Sequence, residues 1–213
     1  MPFESETKNL HDALVSCKVP DIKAAVESAH AAGMSANDII DVLGNSMSEV
    51  GVLFERGKLF LPHVLSAANG MKVAMEILGP EMAASAADAK AAASVVMGTV
   101  EGDVHDIGKS ICSTMLQCAG FEVHDLGRDV PKQKFLDEVT GGCTFCGMSA
   151  LMTTTMTVQK DVIEMMKSAG LRDKVTIMVG GAPVTQAYAD KIGADLYGES
   201  ASETTRKAKE LLA

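Results

Sequence analysis

The feature that most constrains this chain is a change in the spacing of its apolar residues part-way along. Up to about Met82 they recur at helical intervals. Pro20-Asp21 starts a helix that Gly33 stops, and Ser35 is placed to cap the next one. That helix carries Ile39, Leu43, Met47, Val50 and Phe54 and ends near Gly57. Leu61 precedes Pro62, a residue suited to a first helical turn. Val64, Leu65, Ala68, Met71, Met75 and Leu78 then follow as a single expected apolar stripe. With a shorter amphipathic segment around Leu10, Leu14 and Val15, this predicts a four-helix bundle.

Between Gly79 and Ala93 the composition shifts to small and polar residues, which predicts a linker and a domain boundary. Beyond it, short apolar runs alternate with helical segments. SVVMGTV, FEVHDLG, TFCGMSAL, VTIMVGG and ADLYGE are the strand candidates. Helices are expected around Ile107–Ala119, Pro131–Val139, Thr154–Ala169 and Val184–Ile192. Strands separated by helices imply a parallel sheet, because parallel neighbours need crossovers that cover the faces. The expectation is a helical domain over 1–90 and a flavodoxin-like, Rossmann-like five-stranded domain over 91–213, with strand order 2-1-3-4-5.

Composition excludes several classes. Over 213 residues, 47% hydrophobic and 22% charged content fit an ordinary globular core rather than a disordered chain. Nineteen basic against 28 acidic residues give a net charge of −9, and neither half is basic, so nucleic acid and anionic membrane surfaces are poor partners. No apolar run approaches the ~20 residues that span a bilayer. Five cysteines and a polar, acidic N-terminus predict a reduced, cytoplasmic protein. The 14 methionines read as core filler.

The residues that could carry chemistry fall at the carboxyl ends of the strands, the edge that holds the ligand crevice in such sheets. The spacing points to Asp103–Gly108, Ser149–Thr155 and Gly180–Gly181. The run Gly108-Lys109-Ser110 invites a phosphate-loop reading, but that motif needs glycine where Asp103 stands, and a carboxylate would oppose phosphate there. His105 offers a metal ligand, with Asp103 two residues earlier placed to bond one imidazole nitrogen and free the other. His11, His30, His63 and His124 lie on expected helices or a strand, and nothing brings them to His105. A lone histidine is a metal site only if the metal brings its own macrocycle; otherwise it is a solvated or capping residue. Cys143-x-x-Cys146 lacks the second pair a zinc site would need and reads as packing.

Taken together, GDVHDIGKS, the Ser149–Leu151 SAL and Gly180-Gly181 resemble the Asp-x-His-x-x-Gly, Ser-x-Leu, Gly-Gly signature of cobalamin-binding domains that hold the cofactor base-off, with its own benzimidazole displaced. LFERGKLFLPHVLSAANGMKVAMEIL is similar to the helical cap of methionine synthase and of corrinoid proteins. The whole resembles the corrinoid carrier proteins of methyltransferase systems, those serving methylamine methyltransferases above all. The resemblance implies that His105 binds cobalt from the lower face, that Asp103 bonds it, and that a hydroxyl completes the relay, either Thr155 or a neighbour in the run Thr153–Thr155. Ser149, Leu151 and Thr153 would line the slot for the displaced tail. Gly108, Gly180 and Gly181 would let backbone approach it, and Gly102, Val104, Asp106 and Ile107 would contact the cofactor with the rest of their segment. Phe54 and Leu61 would cover the upper face. The bland counterparts are bundle core for Phe54 and Leu61, a plain turn for Gly180-Gly181 and a helix cap for the threonines.

The implied function is to carry a methyl group on cobalt. A substrate-specific methyltransferase would load it and a second methyltransferase, acting on a thiol or a folate, would unload it, with a separate ATP-dependent activase restoring oxidised cobalt. Such a carrier is not an enzyme on its own. Methylamines are the favoured donors, in methanogenesis or acetogenesis, and the linker would be the hinge of a moving lid. The rival reading is a flavin- or nucleotide-binding flavodoxin-like protein.

Overall fold

The computed structural model describes residues 3–85 and 93–212, with backbone alone for 80–85. Two compact units, Met1–Ala91 and Ala92–Ala213, make up the chain. The first unit is helical: α1 (Glu4–Val15), α2 (Val19–Ala31), α3 (Ala36–Glu55) and α4 (Leu61–Ser85). Its starts follow local chemistry. Pro20 sits in the first turn of α2, where the missing N–H has no helical partner to lose. The Ser35 hydroxyl accepts the Asp38 amide at 3.2 Å and caps α3. Leu10, Leu14, Ile22, Val26, Ile39, Leu43, Val50, Met71 and Leu78 form the buried interior. At Gly70 helix α4 comes so close to α2 that a Cβ would lie 2.2 Å from Ile22 Cδ1.

Two helical expectations need correction. Helix α4 runs through Gly79 and Pro80 to Ser85, so the segment read as the start of a linker is still helix. Its Glu-Met-Ala-Ala residues are good helix formers and override the Gly-Pro stop signal. Residues 86–92 of the expected hinge lie outside the described residues. The apolar positions of α4 also divide into two faces. Val64, Met71 and Leu78 are buried, whereas Leu65 and Met75 are exposed, with half-buried Leu61 and Ala68 on the same face as these two.

The second unit is a sheet of β1 (Ser94–Thr99), β2 (Glu122–Asp125), β3 (Phe145–Ser149), β4 (Thr176–Gly180) and β5 (Leu196–Tyr197). All pairs are parallel, in the order β2-β1-β3-β4-β5. The connecting helices are α5 (Ile107–Cys118), α6 (Lys132–Thr140), α7 (Met156–Ser168) and α8 (Gln186–Ile192). A last helix, α9 (Ala201–Glu210), was not among the expected segments; only Thr205 and Ala208 of it are buried, too narrow an apolar face to stand out in the sequence. Residues alternate across the sheet, as strand geometry requires. Val96, Cys146, Met148, Ile177 and Val179 pack with α6, α7 and α8, while Val95, Met97, Phe145 and Met178 pack with α5 and α9.

The fully buried Phe135 ring of α6 lies against Gly98 of β1, where a Cβ would meet it at 2.7 Å. A rigid aromatic cannot yield as a flexible chain would. Gly98→Ala is therefore expected to lower the stability of the sheet unit by about 1–3 kcal/mol, read as an earlier urea unfolding transition.

Candidate functional site

The site begins where β1 ends. A turn closed by the Asp103 amide on the Val100 carbonyl, 3.0 Å, carries Gly102 at φ +83°, a left-handed conformation suited to glycine. The Gly102 amide donates to Asp129 Oδ1 at 2.7 Å, and the Asp129 amide donates to the Asp103 carbonyl at 2.9 Å, so the loop after β2 braces the turn. Gly102 thus has a backbone reason of its own.

Asp103 is fully buried and its carboxylate accepts five hydrogen bonds. Oδ1 takes the His105 amide at 3.0 Å and His105 Nδ1 at 2.8 Å. Oδ2 takes the Leu151 amide at 2.8 Å, the Met152 amide at 3.3 Å and the Thr155 hydroxyl at 2.7 Å. Burial pushes the carboxyl pKa up, but the bonds from Thr155, from the His105 and Leu151 amides and from the His105 ring outweigh it and hold the group well below its usual value of 3.8. An ionised Asp103 only accepts, so Nδ1 of His105 carries the proton and donates, which leaves the lone pair of the neutral ring on Nε2. The imidazole is 47% exposed.

This geometry separates the threonines. Thr155 is buried and bonded to Asp103, while Thr153 and Thr154 are exposed. Thr155 stands at the N-cap position of α7 but makes no side-chain cap bond; its hydroxyl serves Asp103 instead. Around His105 the loops expose Val104, Ile107 and Leu151, an apolar rim beside a polar ring nitrogen. Gly108 opens α5 with nothing within 4 Å of where its Cβ would be, so space lies there. Ser149 ends β3 beside Gly180 of β4, and the Ala150 amide donates to the Gly180 carbonyl at 3.1 Å. Gly181, at φ +122°, could not be another residue, since its Cβ would fall 1.9 Å from the Ala150 oxygen. Asp106 precedes α5 and makes no side-chain cap bond.

Two supporting residues went unread in the sequence. Gln159 of α7 is buried and its amide donates to the Met148 carbonyl at 2.9 Å and the Gly180 carbonyl at 3.2 Å, tying the ends of β3 and β4. Lys109 is buried and donates to Asp125 Oδ1, joining the start of α5 to the end of β2. Burial raises the Asp125 pKa, and the bonds from Lys109 and the Gly127 amide more than offset it. The near-miss phosphate-loop motif drew the eye to Lys109, but with that motif set aside on spacing the sequence assigned the lysine no partner. Phe54 and Leu61 are half-buried in the helical unit. None of the described helices is long and apolar enough to cross a membrane.

A doubly wound parallel sheet that offers one imidazole from its carboxyl edge, oriented by a buried carboxylate and rimmed by apolar residues, has the form of a cofactor-binding α/β domain. Comparison with known proteins agrees. Residues 93–206 match a B12 binding domain, and residues 7–78 match a second B12 binding domain model. Dimethylamine corrinoid protein 2 of Methanosarcina acetivorans is 56% identical over 210 residues, covering 98% of this chain and 97% of the relative. Trimethylamine corrinoid protein 1 of the same organism is 50% identical, covering 87% of each. The crystal structure of a cobalamin-binding protein from Desulfitobacterium hafniense superposes with a TM-score of 0.83 at 28% identity over 98% of both chains. The methanol:cobalamin methyltransferase complex of Methanosarcina barkeri gives 0.78 at 32% identity, over 99% of this chain and 81% of that one. The chain belongs to the B12-binding family of corrinoid proteins, and its cofactor is cobalamin or a related corrinoid.

Because the Asp103 pKa is depressed, the stability it contributes is present above 3.8 and is lost as pH falls through the lower folded value. Asp103→Asn is expected to cost about 1–3 kcal/mol at neutral pH. The gap between wild type and variant should still be present at pH 5 and close only below about pH 4, as followed by urea denaturation at each pH.

Proposed function

We propose that this protein carries a methyl group on corrinoid cobalt between two methyltransferases, with His105 as the lower ligand in place of the cofactor's own base. The observation that carries this reading is the His105 imidazole itself. Its Nδ1 is committed to a buried carboxylate, its Nε2 is left with a lone pair, and Val104, Ile107 and Leu151 stand exposed around it. These residues fit a corrinoid: one nitrogen donor for the metal and apolar contact for a broad macrocycle. When bound, the corrinoid supplies a cobalt centre that accepts and releases methyl groups.

The chain's own part is to bind and orient. Asp103 keeps the Nδ1 proton and thereby the direction of Nε2, and Thr155 holds Asp103 in turn. The linked hydrogen bonds of Thr155, Asp103 and His105 would hold the Nδ1 proton in place and so keep Nε2 as the nitrogen available to the group. Gly102, Asp106 and Gly108 belong to the same loop and helix start. Ser149, Thr153, Gly180 and Gly181 stand at the neighbouring strand ends, where the displaced nucleotide tail is assigned. Phe54 and Leu61 are assigned to the upper cover. The exposed Leu65 and Met75 on the face of α4 that bears Leu61 support a covering role for that helix.

The partners are then a substrate-specific methyltransferase, a second methyltransferase acting on a thiol or tetrahydrofolate, and a reductive activase. Relatives named as dimethylamine corrinoid proteins support a methylamine as the original donor, and the methyltransferase complex among the structural neighbours supports docking to such a partner. The protein is a carrier subunit, acting where its partners act, inside the cell.

The test is reconstitution with cobalamin and gel filtration. His105→Ala should keep the circular dichroism of the wild type, retain at least about tenfold less corrinoid and transfer methyl groups more slowly. Thr155→Val should weaken retention less. Intact retention and turnover in His105→Ala would sink the ligand assignment, and a yellow, cobalt-free protein binding flavin would replace the whole reading.

A further inference from the structure

The Cys143-x-x-Cys146 pair does not act as a pair. Cys146 is fully buried within β3, whereas Cys143, at the strand's entrance, meets two other donors. Its Sγ lies 3.6 Å from His124 Nδ1 and 3.9 Å from Glu138 Oε2, and these two atoms are 2.7 Å apart. Among the described residues these three form a group whose ligand atoms all lie within 4.8 Å of one another.

The placement follows from topology. The register aligning His124 with Val96 turns it to the α6 face of edge strand β2. Glu138 lies in the last turn of α6. The chain then reverses through Gly141 and Gly142, the latter at φ +117°, and delivers Cys143 to the same face. We propose that His124, Glu138 and Cys143 form a second metal site, for a divalent ion of the zinc class, separate from the corrinoid.

Nitrogen, oxygen and sulfur in one group favour zinc over magnesium or calcium, which take oxygen alone. Around tetrahedral zinc, with bonds of roughly 2.0–2.3 Å, nitrogen–sulfur and oxygen–sulfur separations come to about 3.5 Å and nitrogen–oxygen to about 3.3 Å. The two sulfur separations already lie near that value. The imidazole–carboxylate pair is a hydrogen bond that would open by about 0.6 Å on binding. The other ring nitrogen, Nε2, faces Glu122 Oε1 at 3.5 Å, the kind of outer carboxylate that orients a ligating imidazole. Cys143 is 4% exposed, while the side chains of His124 and Glu138 are 40% and 30% exposed, so an ion has a way in and water a fourth position. A thiolate and a carboxylate together neutralise the divalent charge. Bound there, the ion would tie edge strand β2 to α6 and to the entrance of β3.

The site is tested on the full chain, freed of corrinoid and stripped by chelator, so the outcome does not depend on how His105 serves. Zn²⁺ is titrated in competition with a chromophoric chelator, and Co²⁺ serves as the spectroscopic probe. One ion per chain is expected, with a thiolate-to-cobalt charge-transfer band. Each of His124→Gln, Glu138→Gln and Cys143→Ser should weaken binding at least about tenfold, and Cys143→Ser should abolish the band. His105→Ala should leave both unchanged. Circular dichroism checks the fold of each variant, and partly exposed Glu138→Gln decides the matter if the cysteine variant does not fold. No stoichiometric binding, or binding indifferent to these substitutions, would overturn the site and leave the cluster as an imidazolium–carboxylate pair packed on a thiol.

Discussion

The buried Asp103 carboxylate organises everything the carboxyl edge of the sheet does. A charge taken wholly out of water is costly unless hydrogen bonds replace its hydration, and here five donors do so. The donors come from two places: His105 in the loop after β1, and Leu151, Met152 and Thr155 in the turn after β3. One carboxylate therefore locks two loops together, and the direction of the imidazole depends on residues some 50 positions away in sequence. The same bonds keep the carboxylate ionised, which decides the histidine tautomer and hence which nitrogen can meet a metal.

A second layer holds that arrangement in place. Thr99 is buried and donates to the His105 carbonyl at 3.2 Å, so the histidine's backbone is fixed as well as its ring. Gln159 ties the ends of β3 and β4, and Lys109 ties α5 to β2. These groups are polar and inward-facing, and they sit where the strand order places neighbouring carboxyl ends together. The helices cover both faces, leaving that edge as the place where loops can vary without disturbing the core.

Much of this was legible in the sequence because turn residues punctuate short apolar runs. The parallel sheet follows from short apolar runs alternating with helical segments, the three site segments follow from where those runs end, and the resemblance named the roles of His105 and Asp103. What could not be read is three-dimensional. Three successive threonines look alike until the turn buries Thr155 and exposes its neighbours. Lys109 has no partner in sequence until α5 turns it inward to Asp125. Helix α9 has too few apolar residues to declare itself, and α4 passes a Gly-Pro pair that ordinarily ends a helix. His124, Glu138 and Cys143 lie 14 and 19 residues from one another's neighbourhood in sequence, as measured from His124, and only the register of β2 and the turn after α6 bring them together.

The central claim is that the protein's own histidine, and not the cofactor's benzimidazole, sits beneath the metal. Electron paramagnetic resonance of the Co(II) corrinoid-loaded protein tests it directly, using chain grown with ¹⁵N-histidine and unlabelled cofactor. Coordination by His105 predicts that the nitrogen triplet splitting of natural-abundance protein becomes a doublet on labelling. A splitting that stays a triplet would mean that the axial nitrogen comes from the cofactor, and would contradict the account.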